Sequence, residues 1–290
     1  MMTNPSSTRA PHSWCAEPDA MMASMNEAAD TLKRAWRCSF DVCIVAGSGV
    51  SSAIESWECR GQMDVGTVPG FSTSTVHGHT NRLSWMRVSG TDVLVFHGRR
   101  HLYEGVALRD AVAPVLLAGR MGVERCVLTN AAGGMNPTFS AGDLMIVSDI
   151  VNATGRTVAV RGSHGAALID KEWSMRLFHA CGPWHADTHA SVRKGVYVSV
   201  LGPSYETRAE IGMYAHAADA IGMSTVHEAQ AAAQLGMSVV AVSVISNTLH
   251  EAPASKLTHE EVVQVAAKSG ARLGDVLEAS VRTSRGRHER

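Results

Sequence analysis

Apolar runs recur along the whole chain, at Asp41–Ala46, Asp92–Phe96, Arg125–Leu128, Leu144–Val147, Val196–Val200, Ala218–Ile221 and Ser238–Ile245. Most lack alternation with polar residues, which predicts strands covered on both faces rather than strands with a wet side. Alanine-rich stretches with helical character, such as Arg109–Gly119 and Glu228–Leu235, lie between several of them. Strands alternating with helices predict an α/β layered fold. No repeat, long linker or abrupt shift of composition divides the chain, so one domain is expected over residues 23–283. A loose N-terminal tail is expected over residues 1–22, where Pro5, Pro11 and Pro18 fall, and a basic tail over 284–290.

Polar chemistry begins where the apolar runs stop. His97, Arg99, His101, Tyr103 and Glu104 follow one run, and Thr129-Asn130-Ala131-Ala132-Gly133-Gly134, read as a glycine-rich turn, follows another. Parallel α/β sheets bind ligands just beyond the carboxyl ends of their strands. Arginine offers a planar donor fork suited to phosphate oxygens, and His101 can add a second donor. Gly47-Ser48-Gly49 ends the first run as a cradle for an anion, without the full spacing of a dinucleotide loop or the lysine of a P-loop. Tyr205-Glu206 and Asn247 also end runs, and a carboxylate and an amide there can read the edge of a heterocycle. Four helix-start signatures, Ser52-x-x-Glu55, Thr207-x-x-Glu210, Thr225-x-x-Glu228 and Thr258-x-x-Glu261, fit the capping box. Three directly follow the polar motifs, where helix N-termini favour anions.

Composition narrows the partners. The 290 residues carry a formal charge of −1, so nothing electrostatic favours nucleic acid or an anionic membrane. No run of about 18 apolar residues is present to span a bilayer, and the N-terminal segment lacks the apolar core of a signal peptide. Six cysteines without CxxC pairing, several inside apolar runs, read as reduced thiols of a cytoplasmic protein. Fourteen histidines raise the question of metal. His77-x-His79 and His185-xxx-His189 approach ligand spacing, but neither has a carboxylate or cysteine cluster beside it, and no metal is expected.

Ser48, Thr75-Val76-His77-Gly78-His79, the His97–Gly105 block, Thr129–Gly134, Gly202–Thr207, Gly222–Glu228, Asn247 and His259-Glu260-Glu261-Val262 together resemble the trimeric purine nucleoside phosphorylases, over Ser39 to Val281 and in the family's order. The resemblance implies a single-domain α/β/α sandwich around a mixed, partly barrel-like sheet, assembled as a homotrimer. It implies phosphorolysis of inosine, guanosine and their deoxy forms to a purine base and (deoxy)ribose 1-phosphate. Inorganic phosphate would be a co-substrate, with no metal or organic cofactor. Phosphate would be held by Ser48, Arg99, His101, the backbone at Ala131, and Ser224. The nucleoside would be held by Tyr103, Met223 and His259 at the pentose, and by Glu206, Asn247, Tyr197 and Tyr205 at the base. His79 and Glu104 would support the phosphate site from behind, and Asn247, His101 and Glu206 would act in catalysis. Asparagine at 247 favours 6-oxopurines, whereas the similar methylthioadenosine phosphorylases carry aspartate there and form the alternative within the fold. A non-catalytic purine-binding member is the alternative of another class. A nucleoside hydrolase fits less well, since it needs no converging anion ligands. Three features depart from the family pattern. Gly47-Ser48-Gly49-Val50-Ser51 lacks a last glycine, the loop at Val76–His79 is altered, and the stretch from Asn152 to Gly195 is shortened. Arg161–Asp170, with His164, stands where the family places a phenylalanine loop that reaches the neighbouring sugar site.

Overall fold

The computed structural model describes residues 18–47, 50–74, 80–158, 167–181, 191–249, 264–265 and 269–284. Nine strands form one sheet: β1 (Val42–Ala46), β2 (Glu58–Asp64), β3 (Arg82–Val88), β4 (Thr91–His97), β5 (Arg125–Gly134), β6 (Leu144–Asn152), β7 (Val192–Ser199), β8 (Ala220–Gly222) and β9 (Ser238–Thr248). Helices α1 (Pro18–Trp36), α2 (Leu108–Arg120), α3 (Lys171–Cys181), α4 (Arg208–Tyr214), α5 (Val226–Gln234) and α6 (Gly270–Thr283) accompany it, with short 3-10 turns at Ser51–Ile54, Val65–Thr67 and Leu102–Glu104. The sheet runs β2-β3-β4-β1-β5-β8-β7-β6-β9, and β9 pairs back onto β5. Strands β5, β8, β7, β6 and β9 thereby close a ring, from which the other four extend as an open wing.

β1 shows why the buried runs lack polar alternation. Its Cys43 and Val45 enter one apolar cluster with Leu32 of α1, Val112 of α2 and Ala229 of α5. Val42, Ile44 and Ala46 enter a second, with Trp173 of α3 and Leu273 and Leu277 of α6. Both faces are dry, so every position is apolar. Trp173 is fully buried, and its indole N–H donates to Ser280 O at 3.1 Å, which lets a polar atom lie inside the layer between α3 and α6.

Several elements differ from the sequence expectation. Thr129–Gly134 is not a turn but the second half of β5, paired in parallel with β9 over its length and antiparallel with β8 at its end. The glycines are needed for closeness rather than for turning. A Cβ at Gly133 would lie 2.9 Å from Leu249 Cδ1, and one at Gly134 would lie 2.9 Å from Ile245 Cγ2. Helix α1 begins at Pro18, inside the expected tail of residues 1–22; proline suits a first helical turn, and Met25, Ala28 and Leu32 bury the helix's apolar stripe. Ser52-x-x-Glu55 forms no capping box, because Ser51–Ile54 is a 3-10 turn preceded by Val50 without a side-chain cap. Thr258-x-x-Glu261 lies outside the described residues. Strands β2 and β3 escape the reading: β2 is an edge strand with largely exposed and polar residues and no apolar run, and in β3 Arg82, Ser84 and Arg87 interrupt the apolar residues.

Candidate active site

The parallel pairings of β1 with β4, of β1 with β5 and of β5 with β9 bring their carboxyl ends to one edge of the sheet. A cleft opens there. Arg99, His101, Tyr103, Ala131, Tyr205, Glu206, Met223, Ser224 and Asn247 all line it, so nine residues from distant parts of the chain converge there. Ser48, His79 and His259 lie outside the described residues, as do His164 and both histidine pairs weighed for metal. Among the described residues, no group of three or more histidine, cysteine or acidic side chains is placed to hold a metal ion.

At one end lies a dense polar knot. The side chain of Arg99 is 2% exposed and that of Glu228 3%, with Nε and Oε1 2.9 Å apart. The pair meets at ion-pair distance, although Nε–H and Oε1 are not aligned as a hydrogen bond. Nη1 of Arg99 donates to Thr129 O at 2.6 Å and reaches Ser224 Oγ at 3.3 Å, while Nη2 donates to Val45 O at 2.8 Å. One guanidinium thus ties the end of β1 and the middle of β5 to the turn after β8 and to α5. The approach of β1 to β5 is correspondingly close. Gly47 N–H donates to Thr129 Oγ1 at 2.8 Å, and a Cβ at Gly47 would lie 2.8 Å from Thr129 O.

Thr225, beside Ser224, has φ +79°, a conformation rare for a β-branched residue and costing on the order of 1–3 kcal/mol. Its surroundings hold it there. Thr225 N–H donates to Glu228 Oε2 at 2.9 Å, and Asn130 Nδ2 donates to Thr225 Oγ1 at 2.9 Å. The Ser224 carbonyl accepts from Ser199 Oγ at 2.9 Å and from the Tyr197 hydroxyl at 3.3 Å. Tyr197 was expected against the purine. It is instead fully buried behind the turn, away from the lining, and burial pushes its phenol up to about 12. A Cβ at Gly222 would meet its hydroxyl at 2.5 Å, so the neighbouring glycine admits the ring.

His101 and Tyr103 stack with centroids 4.8 Å apart. Burial lowers the His101 pKa, with the Glu104 hydrogen bond opposing, so the ring is neutral near pH 7 and can accept as well as donate. Burial raises Tyr103 to about 12. Glu104 stands behind them. Its carboxylate accepts from His101 N–H at 2.6 Å and Arg100 Nε at 3.2 Å, and faces Ser74 Oγ at 3.4 Å. At the opposite end, Glu206 is half-buried and burial raises its carboxyl pKa. Tyr205 is 48% exposed at the rim. Asn247 Oδ1 accepts from Ser246 Oγ at 2.8 Å. The cleft therefore joins an end whose donors suit an anion to an end whose groups can read a heterocycle's edge. Glu228 was visible in the sequence only as a capping residue, and its pairing with Arg99 crosses too much chain to be read from spacing. Ser246 carries no sequence signal.

A family model described as "Phosphorylase superfamily" matches residues 41–282. The chain is 36% identical over 266 residues to "Purine nucleoside phosphorylase 1" of Geobacillus stearothermophilus, covering 89% of this chain and 97% of that protein. It is 39% identical over 239 residues to "Purine nucleoside phosphorylase" of Mycobacterium leprae, covering 82% and 87%. Similarity extends to "Purine nucleoside phosphorylase" of Bos taurus, at 31% over 249 residues, 80% of this chain and 85% of that one.

Proposed function

Given that this chain belongs to the phosphorylase superfamily, we propose that it cleaves purine nucleosides, inosine and guanosine with their deoxy forms, by inorganic phosphate. The observation that carries this reading is one cleft with Arg99, His101 and Ser224 at one end and Glu206 and Asn247 at the other. A phosphate oxygen attacks C1′ as the C1′–N9 bond breaks, and the bonding pair departs with the purine. Phosphate is already anionic and needs positioning more than deprotonation. The larger task is to stabilise charge on the leaving base. Asn247 donates to N7 as that charge develops, and Glu206 holds the N1–H edge. Tyr103 and Met223, with His259, hold the pentose between the two ends. This chemistry calls on neither a metal nor an organic cofactor, since the nucleophile arrives activated and the leaving group is stabilised by hydrogen bonds.

We further propose a homotrimer working in the cytoplasm. The assembly is supported by α4, which has no buried residue and exposes Met213 by 58%. The compartment is supported by the free thiols of Cys38, Cys43, Cys59, Cys126 and Cys181. Among the described residues, no helix is long and apolar enough to cross a membrane. The deciding assay is hypoxanthine release from inosine with phosphate present and then rigorously removed. Turnover that requires phosphate is the expected result. Turnover without it identifies a hydrolase, and hypoxanthine binding without turnover identifies a non-catalytic purine-binding protein.

A further inference from the structure

Strand β9 carries one residue too many at the base end of the cleft. Its register with β5 runs Thr129 to Val242 and on to Ala132 opposite Ile245, and then jumps to Gly133 opposite Asn247. Ser246 is the extra residue. Bulges are uncommon in parallel pairs, and beside active sites they re-aim side chains. In a regular strand Ser246 and Asn247 would point to opposite faces of the sheet. With the bulge, both line the cleft.

The hydroxyl of Ser246 is buried and has a single proton to give. Two acceptors lie within its reach, Asn247 Oδ1 at 2.8 Å and Ala132 O at 3.2 Å. If the proton goes to Asn247, Oδ1 is engaged and Nδ2 is turned toward the ligand as a donor. If it goes to Ala132, the same heavy-atom positions require Asn247 to donate to Ser246, and Oδ1 then faces the ligand as an acceptor. The two arrangements present opposite chemistry to a purine. A donor matches the lone pairs of a 6-oxygen and of N7, whereas an acceptor matches a 6-amino group. The structure holds the donor arrangement, with the 2.8 Å contact made by Asn247 Oδ1.

We infer that Ser246 is a specificity-determining residue, which through the β9 bulge fixes the orientation of the Asn247 amide and so makes the site prefer 6-oxopurines over 6-aminopurines. This deepens the proposed function and rests on it. Ser246 acts through its neighbour, so it is a positioning residue, and asparagine alone does not set the preference. A site with a committed donor rejects a mismatched partner because one buried polar group is left opposing another.

The test compares kcat/KM for inosine and adenosine, with phosphate saturating, in the wild type, Ser246→Ala and Ser246→Thr. Without the hydroxyl, the Asn247 amide is free to turn, and the inosine-to-adenosine ratio falls about tenfold, equivalent to about 1.4 kcal/mol. Threonine keeps the hydroxyl and keeps the ratio. The ratio of hypoxanthine to adenine affinity, measured calorimetrically, shifts in the same sense and reads base recognition apart from turnover. If Ser246→Ala slows both nucleosides equally and leaves both ratios at the wild-type value, Ser246 is structural only and the inference is overturned while the phosphorylase reading stands. A wild type that phosphorolyses neither nucleoside overturns both.

Discussion

The two ends of the cleft are built by different means. At the end holding Arg99, buried side chains from β5, α5 and the turn after β8 interlock, with Arg99, Asn130, Thr225 and Glu228 nearly sealed from solvent. At the end holding Glu206, the groups sit on the partly exposed segment before α4, a helix with no buried residue, and Tyr205 stands at the rim. An anion must be met by donors already aimed, because reorganising them during the reaction would cost what they contribute. On the proposed reading a planar base enters and leaves through the other end, and that traffic needs a wall with few buried contacts to break. Rigidity and access are thus divided between two halves of one site.

The largest expected effect breaks the rigid half. Glu228→Ala leaves the Arg99 guanidinium buried without its carboxylate and removes the acceptor that holds Thr225 at positive φ. Losing one partner of a buried ion pair costs about 3–5 kcal/mol. For a chain of this size that lowers the melting temperature by about 10 °C. Calorimetric melting with and without phosphate checks this, and phosphate is expected to recover less stability in the variant than in the wild type. A melting temperature within a few degrees of wild type would mean that the knot is not what braces this end.

Asn247→Ala probes the other half and separates function from stability. Asn247 is partly exposed at the end of β9, and its truncation leaves the melting temperature near wild type. The rate should nonetheless drop about 10²–10³-fold in kcat/KM, or about 3–4 kcal/mol of transition-state stabilisation, the cost of removing one donor to developing charge. A loss under tenfold would refute its role as the donor to N7. Together the two variants sharpen the contrast: one end is expected to fail as a structure, the other as a reagent.

How much of this the sequence disclosed follows the same division. The strands of the barrel and the wing's inner pair were legible because burial on both faces leaves unbroken apolar runs, as in β1 and β4. Strand β2 was not, since an edge strand bears no such signature. The site residues were legible as motifs, yet their duties were not always so. Tyr197 lies in an apolar strand and looked like a ring for stacking, but only the packing against Gly222 and Ser224 reveals a brace. Thr129–Gly134 looked like a turn because glycine has two uses, and close approach between neighbouring chain segments leaves the same letters as a bend. The bulge at Ser246 depends on the register between β5 and β9, which no local pattern encodes.

The smallest effect is a displaced pH dependence at the accessible end. Burial raises the Glu206 carboxyl above its ordinary range, with the nearby Glu210 adding to the rise and a main-chain hydrogen bond opposing it. On the proposed reading Glu206 accepts the N1–H of a 6-oxopurine, and most strongly when ionised. Protonation on the acid side therefore weakens that contact, and kcat/KM for inosine declines as pH falls through this raised pKa. The decline sets in at a higher pH than an exposed carboxylate would give. His101 at the anion end contributes in the opposite way. Its pKa is lowered by burial, with the Glu104 hydrogen bond opposing, which favours the neutral ring. Glu206→Gln should consequently abolish this acid limb while lowering the plateau, and leave the KM for phosphate nearly unchanged. If the limb survives that substitution, the titrating group belongs to the phosphate end, and the two halves of the cleft are more tightly coupled than their construction indicates.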